Sequence, residues 1–216
     1  MNAPTLKAKR TRVLAGDGKP HPGRRMTERE FVEWADDTTL AEWVDGDVII
    51  MPPVSSVHDD LQAWLRGLVQ GFADHHDLGR AKGPEFMVRL SRQRTRRMPD
   101  VLFVSKSREE IIRANYIEGA PDLIIELVSP ESVERDWRDK YLEYERAGVR
   151  EYVVIDHGHG RLQGYALGED GKYQPIALDG ERLCSRVLPG FYLREKWVLG
   201  LQRPTIIAAL RELGVK

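Results

Sequence analysis

Apolar positions along this chain repeat at two periods, and each period predicts its own elements. Leu61, Leu65, Leu68 and Phe72 recur at helical spacing. They predict the buried stripe of a helix of roughly twenty residues, capped by Ser55 or Ser56. Trp137, Tyr141 and Tyr144 recur in the same way and predict a helix over 134–147 that stops at Gly148. Thr27 and Glu30 form a capping box. A short helix is expected from there to about Asp37, with Phe31 and Trp34 facing inward. A last amphipathic helix is expected over 205–213. Period-two segments predict strands between these helices. Residues 42–51 split at Asp45-Gly46 into a hairpin, and Gly79 to Leu90 reads as one or two strands with Phe86, Val88 and Leu90 on one face. Further strands are expected over 100–104, 151–156, 161–167, 172–178 and about 191–198, and residues 107–116 read as a helix or helical crossover.

The densest apolar run, Leu123-Ile-Ile-Glu-Leu-Val128, lies between Pro121-Asp122 and Ser129-Pro130. Asp122, Ile124, Glu126 and Val128 share one face, while Leu123, Ile125 and Leu127 cover the other. Such density predicts a strand buried on both faces of a sheet. The strand–helix–strand order over 122–156 implies a right-handed parallel crossover. The fold class is α/β (α+β), with a mixed central sheet flanked by helices. A carboxylate inside that strand is costly unless a cation or hydrogen-bond donors compensate it. Glu126 therefore calls for a partner.

At 216 residues the chain suits a single domain over 26–216, preceded by a disordered basic tail over 1–25. The net charge of −1 gives no global field of the kind a strongly basic nucleic-acid binder carries. Charge is uneven locally: Arg89, Arg92, Arg94, Arg96 and Arg97 cluster without an acid. That run either contacts nucleic-acid phosphates or forms a solvated hairpin tip. Cys184 is the single cysteine, which excludes an intramolecular disulfide and a cysteine zinc site and suits a cytoplasmic protein. No apolar run approaches the roughly 18 residues of a membrane span, and no apolar segment follows the basic start as a signal peptide would require.

Pro99-Asp100 opens an apolar strand upstream of Glu126. Adjacent strands lie about 4.8 Å apart, so two inward carboxylates could share one cation. Hard oxygen ligands without cysteine or a histidine cluster favour Mg²⁺ or Mn²⁺. Lys140, three residues after Trp137 and four before Tyr144, borders the buried stripe of its helix. Its ammonium either returns to the carboxylates or pairs with Asp136 at the surface. Bland readings stand beside the others too. Glu126 could belong to a structural ion pair, Asp100 to a turn, and Glu42 to the solvent side of its hairpin. His58 falls at a helix start, at the edge of the stripe, and His75, His76, His157 and His159 have no ligand spacing.

Several blocks then occur in a telling order. They are Ala41-Glu42-Trp43-Val44-Asp45-Gly46, His58 with Leu61 and Leu65, Arg97-Met98-Pro99-Asp100-Val101, and Ala120-Pro121-Asp122 through Ser129-Pro130. Lys140-Tyr141 with Tyr144, Ala147-Gly148-Val149-Arg150-Glu151-Tyr152 and Leu188-Pro189-Gly190-Phe191 follow. Over about residues 27–200 the chain resembles the Uma-type restriction endonuclease family of the PD-(D/E)xK nuclease superfamily. The resemblance implies a restriction-endonuclease-like core and a Mg²⁺-dependent endonuclease acting on DNA. It implies Asp100 and Glu126 as metal ligands, Lys140 in the work of the superfamily lysine, and Glu42 as an additional acid near the metal. One departure is plain: Val128 stands two residues after Glu126, where the usual motif has lysine. In families of this type the lysine comes from the following helix, which makes Lys140 the candidate. Many enzymes of this fold cut both strands as pairs, so a homodimer is compatible. Two other readings remain: a catalytically silent nuclease-fold module that binds DNA or a partner, and a metal-dependent hydrolase of another substrate.

Overall fold

The computed structural model describes residues 22–35, 39–128, 135–200 and 203–216, and the side chains of all of these except 135–137. Most of the expected tail, the end of the first helix at Asp37, Ser129-Pro130 and the side chains of Asp136 and Trp137 lie outside the described residues. In chain order the elements begin with α1 (Glu28–Trp34), β1 (Ala41–Val44), β2 (Asp47–Ile50), α2 (Ser56–His76), β3 (Gly79–Lys82), β4 (Met87–Leu90) and β5 (Thr95–Arg97). They continue with β6 (Val101–Ser105), β7 (Tyr116–Glu118), β8 (Leu123–Val128), α3 (Arg135–Ala147), β9 (Glu151–Asp156), β10 (Arg161–Leu167) and β11 (Tyr173–Ile176). The chain closes with β12 (Arg182–Cys184), β13 (Tyr192–Arg194), α4 (Glu195–Val198) and α5 (Ile206–Glu212).

Local chemistry sets the element boundaries. Thr27 accepts from the Glu30 amide while the Glu30 carboxylate accepts from the Thr27 amide, so the capping box starts α1. Ser55 caps α2 by accepting from the His58 amide. The turn between β1 and β2 needs positive φ at both central residues, and Asp45 (φ 45°) and Gly46 (φ 100°) supply it.

The strands divide into sheets. The larger has the order β11-β10-β9-β8-β6-β3 and the smaller β2-β1-β5-β4-β7, while β12 pairs with β13 apart from both. Both larger sheets are mixed. β8 runs parallel to β9, and β4 parallel to β7, among antiparallel neighbours. β8 is buried on both faces, as its alternation requires. On one face Leu123, Ile125, Val101 and Phe103 pack against Leu61, Leu65, Leu68 and Phe72 of α2. On the other, Ile124, Leu102, Tyr152 and Val154 pack against Tyr144 of α3. Glu126 shares the parity of Ile124, so its side chain turns toward α3.

Several segments depart from expectation, among them β12, which falls between the expected strands. Residues 107–116 form a 3-10 turn, Lys106–Ile111, and then β7. The strand expected over 191–198 ends at Arg194, and a helical turn follows that sets the Trp197 ring against Trp64 and Tyr192. β5 was not expected at all, because its sequence, Thr95-Arg96-Arg97, reads as a polar loop; all three residues are buried.

Asp122, at the opposite end of β8 from Glu126, is fully buried and accepts from the Ser105 amide (2.8 Å) and Arg108 Nη1 (2.8 Å), with Arg150 Nη1 3.1 Å away. This carboxylate ties β6, the 3-10 turn and the start of β9 together. Removing it leaves the Ser105 amide without its acceptor, while the partly exposed Arg108 and Arg150 return to water. Asp122→Ala is expected to lower the unfolding free energy by roughly 2 kcal/mol in urea titration.

Candidate active site

Strand register brings the two sequence-selected acids together. β6 and β8 pair antiparallel, with Leu102 opposite Ile124 and Val101 opposite Ile125. One step further along the same register sets Asp100 across from Glu126. The Leu127 amide donates to Asp100 Oδ2 at 2.7 Å, which locks the acid to β8. Two side chains of α2 approach the other oxygen: His58 Nε2 at 2.9 Å and Gln62 Nε2 at 2.5 Å from Oδ1.

Glu126 is 6% exposed and held at both oxygens by α3. Lys140 Nζ donates to Oε2 at 2.9 Å and the Tyr144 hydroxyl to Oε1 at 2.8 Å. Positions 140 and 144 lie one above the other on a helix face, so a single helix supplies both donors. Lys140 is therefore turned inward to the acids. Its ammonium also lies 3.7 Å from Glu42 Oε1.

Glu42 is 2% exposed, so it does not stand on the solvent side of its hairpin. β1 is covered on both edges, by β2 and β5, and the register of Trp43 with Arg96 carries Glu42 opposite Arg97. Arg97 Nη1 donates to Glu42 Oε2 at 2.8 Å and the Met98 amide to Oε1 at 3.0 Å. The same guanidinium grips Glu143 of α3, with Nη2 to Oε2 at 2.7 Å, and the Thr95 hydroxyl also donates to Glu143. Glu42 is an anchored counter-ion of Lys140.

The electrostatics follow from burial and the sharing of one lysine. Burial pushes the Glu126 carboxyl up; Lys140 pulls it down, Asp100 and Glu42 push it further up, and the balance lies at about 7. Burial opposes ionisation of Glu42 too, but the charges of Lys140 and Arg97 and the Met98 amide outweigh it and hold its carboxyl low. Burial disfavours the Lys140 ammonium, yet Glu126 and Glu42 more than offset that. The hydrogen bond to Asp100 raises His58 against the opposing effect of burial, and Glu126 adds to the rise.

The donor set at this corner fits a hard divalent cation. Asp100 and Glu126 are adjacent carboxylates, and Lys140 is shared between Glu126 and Glu42, so among the described residues Glu126 remains undercompensated. Among the described residues no group of three or more Asp, Glu, His or Cys side chains closes around a metal. Mg²⁺ is commonly held by one or two carboxylates, with water and substrate phosphate completing the shell.

Other sequence candidates fall elsewhere. The arginine run is neither a solvated tip nor an open phosphate-binding surface for three of its members. Arg89 pairs with Glu28 and Glu118, Arg96 pairs with Glu28 and lies over the Tyr116 ring, and Arg97 joins Glu42 and Glu143. Arg94 reaches Asp45 at the hairpin turn. His159 pairs with Asp156 at the end of β9. Sequence reasoning missed the working contacts of His58, Gln62, Arg97, Glu143 and Tyr144. Three of them had a visible signal: His58 and Gln62 lie one helical turn apart on α2, and Tyr144 lies one turn after Lys140 on α3.

The model of the Uma2 family, described as "Putative restriction endonuclease", matches residues 29–196. The chain belongs to the Uma2 family. Among solved structures, a crystal structure titled as a putative nuclease belonging to DUF820 from Anabaena variabilis ATCC 29413 is similar at a TM-score of 0.68 and 18% identity. That match covers 81% of this chain and 97% of that one, and it bears on the fold: mixed sheets flanked by helices. No curated protein matches the chain significantly. Among the described residues no helix is long and apolar enough to cross a membrane.

In this Uma2 chain the raised Glu126 carboxyl has a consequence for stability. An acid whose folded value lies above its unfolded one stabilises the fold fully at low pH and loses that contribution as pH rises through the folded value. Metal-free protein should lose stability from about the ordinary carboxyl value of 4.5 up to about 7. His58, also raised, adds a decline of the same sign that begins only at its ordinary value of 6.5. Glu126→Gln should flatten this slope in chemical denaturation series run across that pH range.

Proposed function

We propose that the chain is a metal-dependent endonuclease that hydrolyses phosphodiester bonds in DNA. The observation that carries the reading is the pairing of Asp100 and Glu126 across β6 and β8, with Lys140 seated on Glu126. Membership of the Uma2 family supports a nuclease activity. Asp100 and Glu126 would hold Mg²⁺ or Mn²⁺. Such a cation, when bound, polarises a phosphodiester and lowers the pKa of bound water.

The chain's own residues account for the rest. Tyr144 and Lys140 fix both oxygens of Glu126, and the Leu127 amide fixes one oxygen of Asp100. Arg97 and the Met98 amide hold Glu42, which in turn faces Lys140. The Lys140 ammonium has three protons, and the one directed at Glu126 leaves others for the attacking water or a non-bridging phosphoryl oxygen. A preorganised cation at that point stabilises the charge that develops on the phosphoryl group. This assigns to a helix-borne lysine the work usually done from two residues after the strand acid, where Val128 stands.

The test is Mg²⁺-dependent nicking of supercoiled plasmid, with linear duplex, single strand and RNA compared under the same metal condition. Asp100→Ala and Glu126→Ala should each abolish nicking while circular dichroism shows a folded protein. Lys140→Ala should slow nicking by about 100-fold or more. Nicking that survives both acid substitutions contradicts the assignment. Mn²⁺ binding by the wild type without cleavage of any substrate would favour a silent binding module instead.

A further inference from the structure

Asp100 is unusual in how completely its carboxylate is committed. An ionised carboxylate has about four lone-pair sites. Three of the four on Asp100 face donors: His58 Nε2 and Gln62 Nε2 at Oδ1, and the Leu127 amide at Oδ2. Because the acid can only accept, the imidazole must present Nε2–H to it. Among the described residues one lone pair of Oδ2 is left uncommitted. The Leu127 amide is backbone and comes with the strand pairing. The two α2 donors are side chains, so the sequence sets them independently of the strand pairing.

We infer that His58 and Gln62 are positioning residues that hold the Asp100 carboxylate for its cation. This inference rests on the nuclease reading and deepens it. Asp100 stands just outside β6, directly after Pro99, where its short side chain has two rotatable bonds. A metal ligand has to be held within about 0.5 Å of its productive place. His58 and Gln62 are one turn apart on α2 and converge on the same oxygen, so they act as a two-point clamp. The helix that carries them is itself rigidly placed. Ser55 caps its first turn through the His58 amide, and its apolar stripe packs on Val101 and Phe103, the residues that follow Asp100. Helix, clamp and ligand therefore form one unit. Gln62 is buried and the His58 side chain is 19% exposed, so the clamp is largely shielded from water.

Outer-shell donors of this kind commonly change metal affinity by 10- to 100-fold, and a merely fold-stabilising pair would leave affinity alone. The experiment is Mn²⁺ titration calorimetry on the full chain, with the Mg²⁺ dependence of plasmid nicking beside it. His58→Ala and Gln62→Ala should each weaken Mn²⁺ binding by about tenfold or more and raise the Mg²⁺ needed for half-maximal nicking in proportion. The nicking rate at saturating Mg²⁺ should change far less, because excess metal restores occupancy. His58→Gln keeps an N–H donor near the same point and should recover most of the affinity. Wild-type Mn²⁺ affinity in His58→Ala, even with a lowered Tm, overturns the positioning role and leaves the nuclease reading intact. A His58→Gln variant no better than His58→Ala also overturns it, since the imidazole would then be needed for itself. Absence of Mn²⁺ binding by the wild type overturns the nuclease reading and this inference with it.

Discussion

Glu126 occupies a position that an ordinary sheet would give to valine: mid-strand, on the face that α3 covers, between Ile124 and Val128. Burying a carboxylate there is unfavourable by several kcal/mol unless its charge and lone pairs are met. What meets them is a chain of alternating charge. Glu126 faces Lys140, Lys140 faces Glu42, Glu42 faces Arg97, and Arg97 faces Glu143, which returns to the helix that carries Lys140. The chain crosses from the larger sheet to the smaller one through α3. It therefore joins the two sheets as well as compensating one acid. Among the described residues Asp100, Glu126, Glu42 and Glu143 are met by Lys140, Arg97 and the imidazole of His58, and Glu126, its carboxyl pushed up to about 7, is the least compensated of the four. In the proposed function a divalent cation between Asp100 and Glu126 would add to that compensation.

The same accounting explains the arginine-rich segment. A run of five arginines looks like a surface built for phosphates when only the neighbours in sequence are counted. Its acids come from far along the chain: Glu28 reaches Arg89 and Arg96 from 61 and 68 residues away, and Glu143 reaches Arg97 from 46. These arginines replace the apolar side chains that β4 and β5 would otherwise need at those positions. They make the smaller sheet a scaffold for Glu42.

Much of this was legible before the coordinates. The α2 stripe, the Asp45-Gly46 hairpin, the doubly buried β8 and the capping box at Thr27 are local signals, each set by spacing or turn chemistry within a few residues. The meeting of Asp100 and Glu126 was legible as well, because Asp100 opens one apolar strand and Glu126 lies inside another. What was not legible depends on register and distant pairing. β5 is buried by ion pairs and not by apolar residues, so a hydropathy pattern passes over it. Glu42 looked solvent-facing because a two-strand hairpin has a free edge, and the covering strand is β5. Tyr144 read as a member of an apolar stripe, and its hydroxyl acquires a role only when β8 lies beneath it. The displaced lysine shows both sides: Val128 excludes the usual position, but only the packing of α3 directs Lys140 to Glu126.

In the proposed function Asp100 and Glu126 share one divalent cation with Lys140 beside it. Anomalous diffraction from Mn²⁺-soaked crystals of the full chain tests it most directly. The account predicts a peak bonded to one oxygen of each carboxylate, with Lys140 still within hydrogen-bond reach of Glu126. A peak held elsewhere, or none at this corner under saturating Mn²⁺, would contradict it.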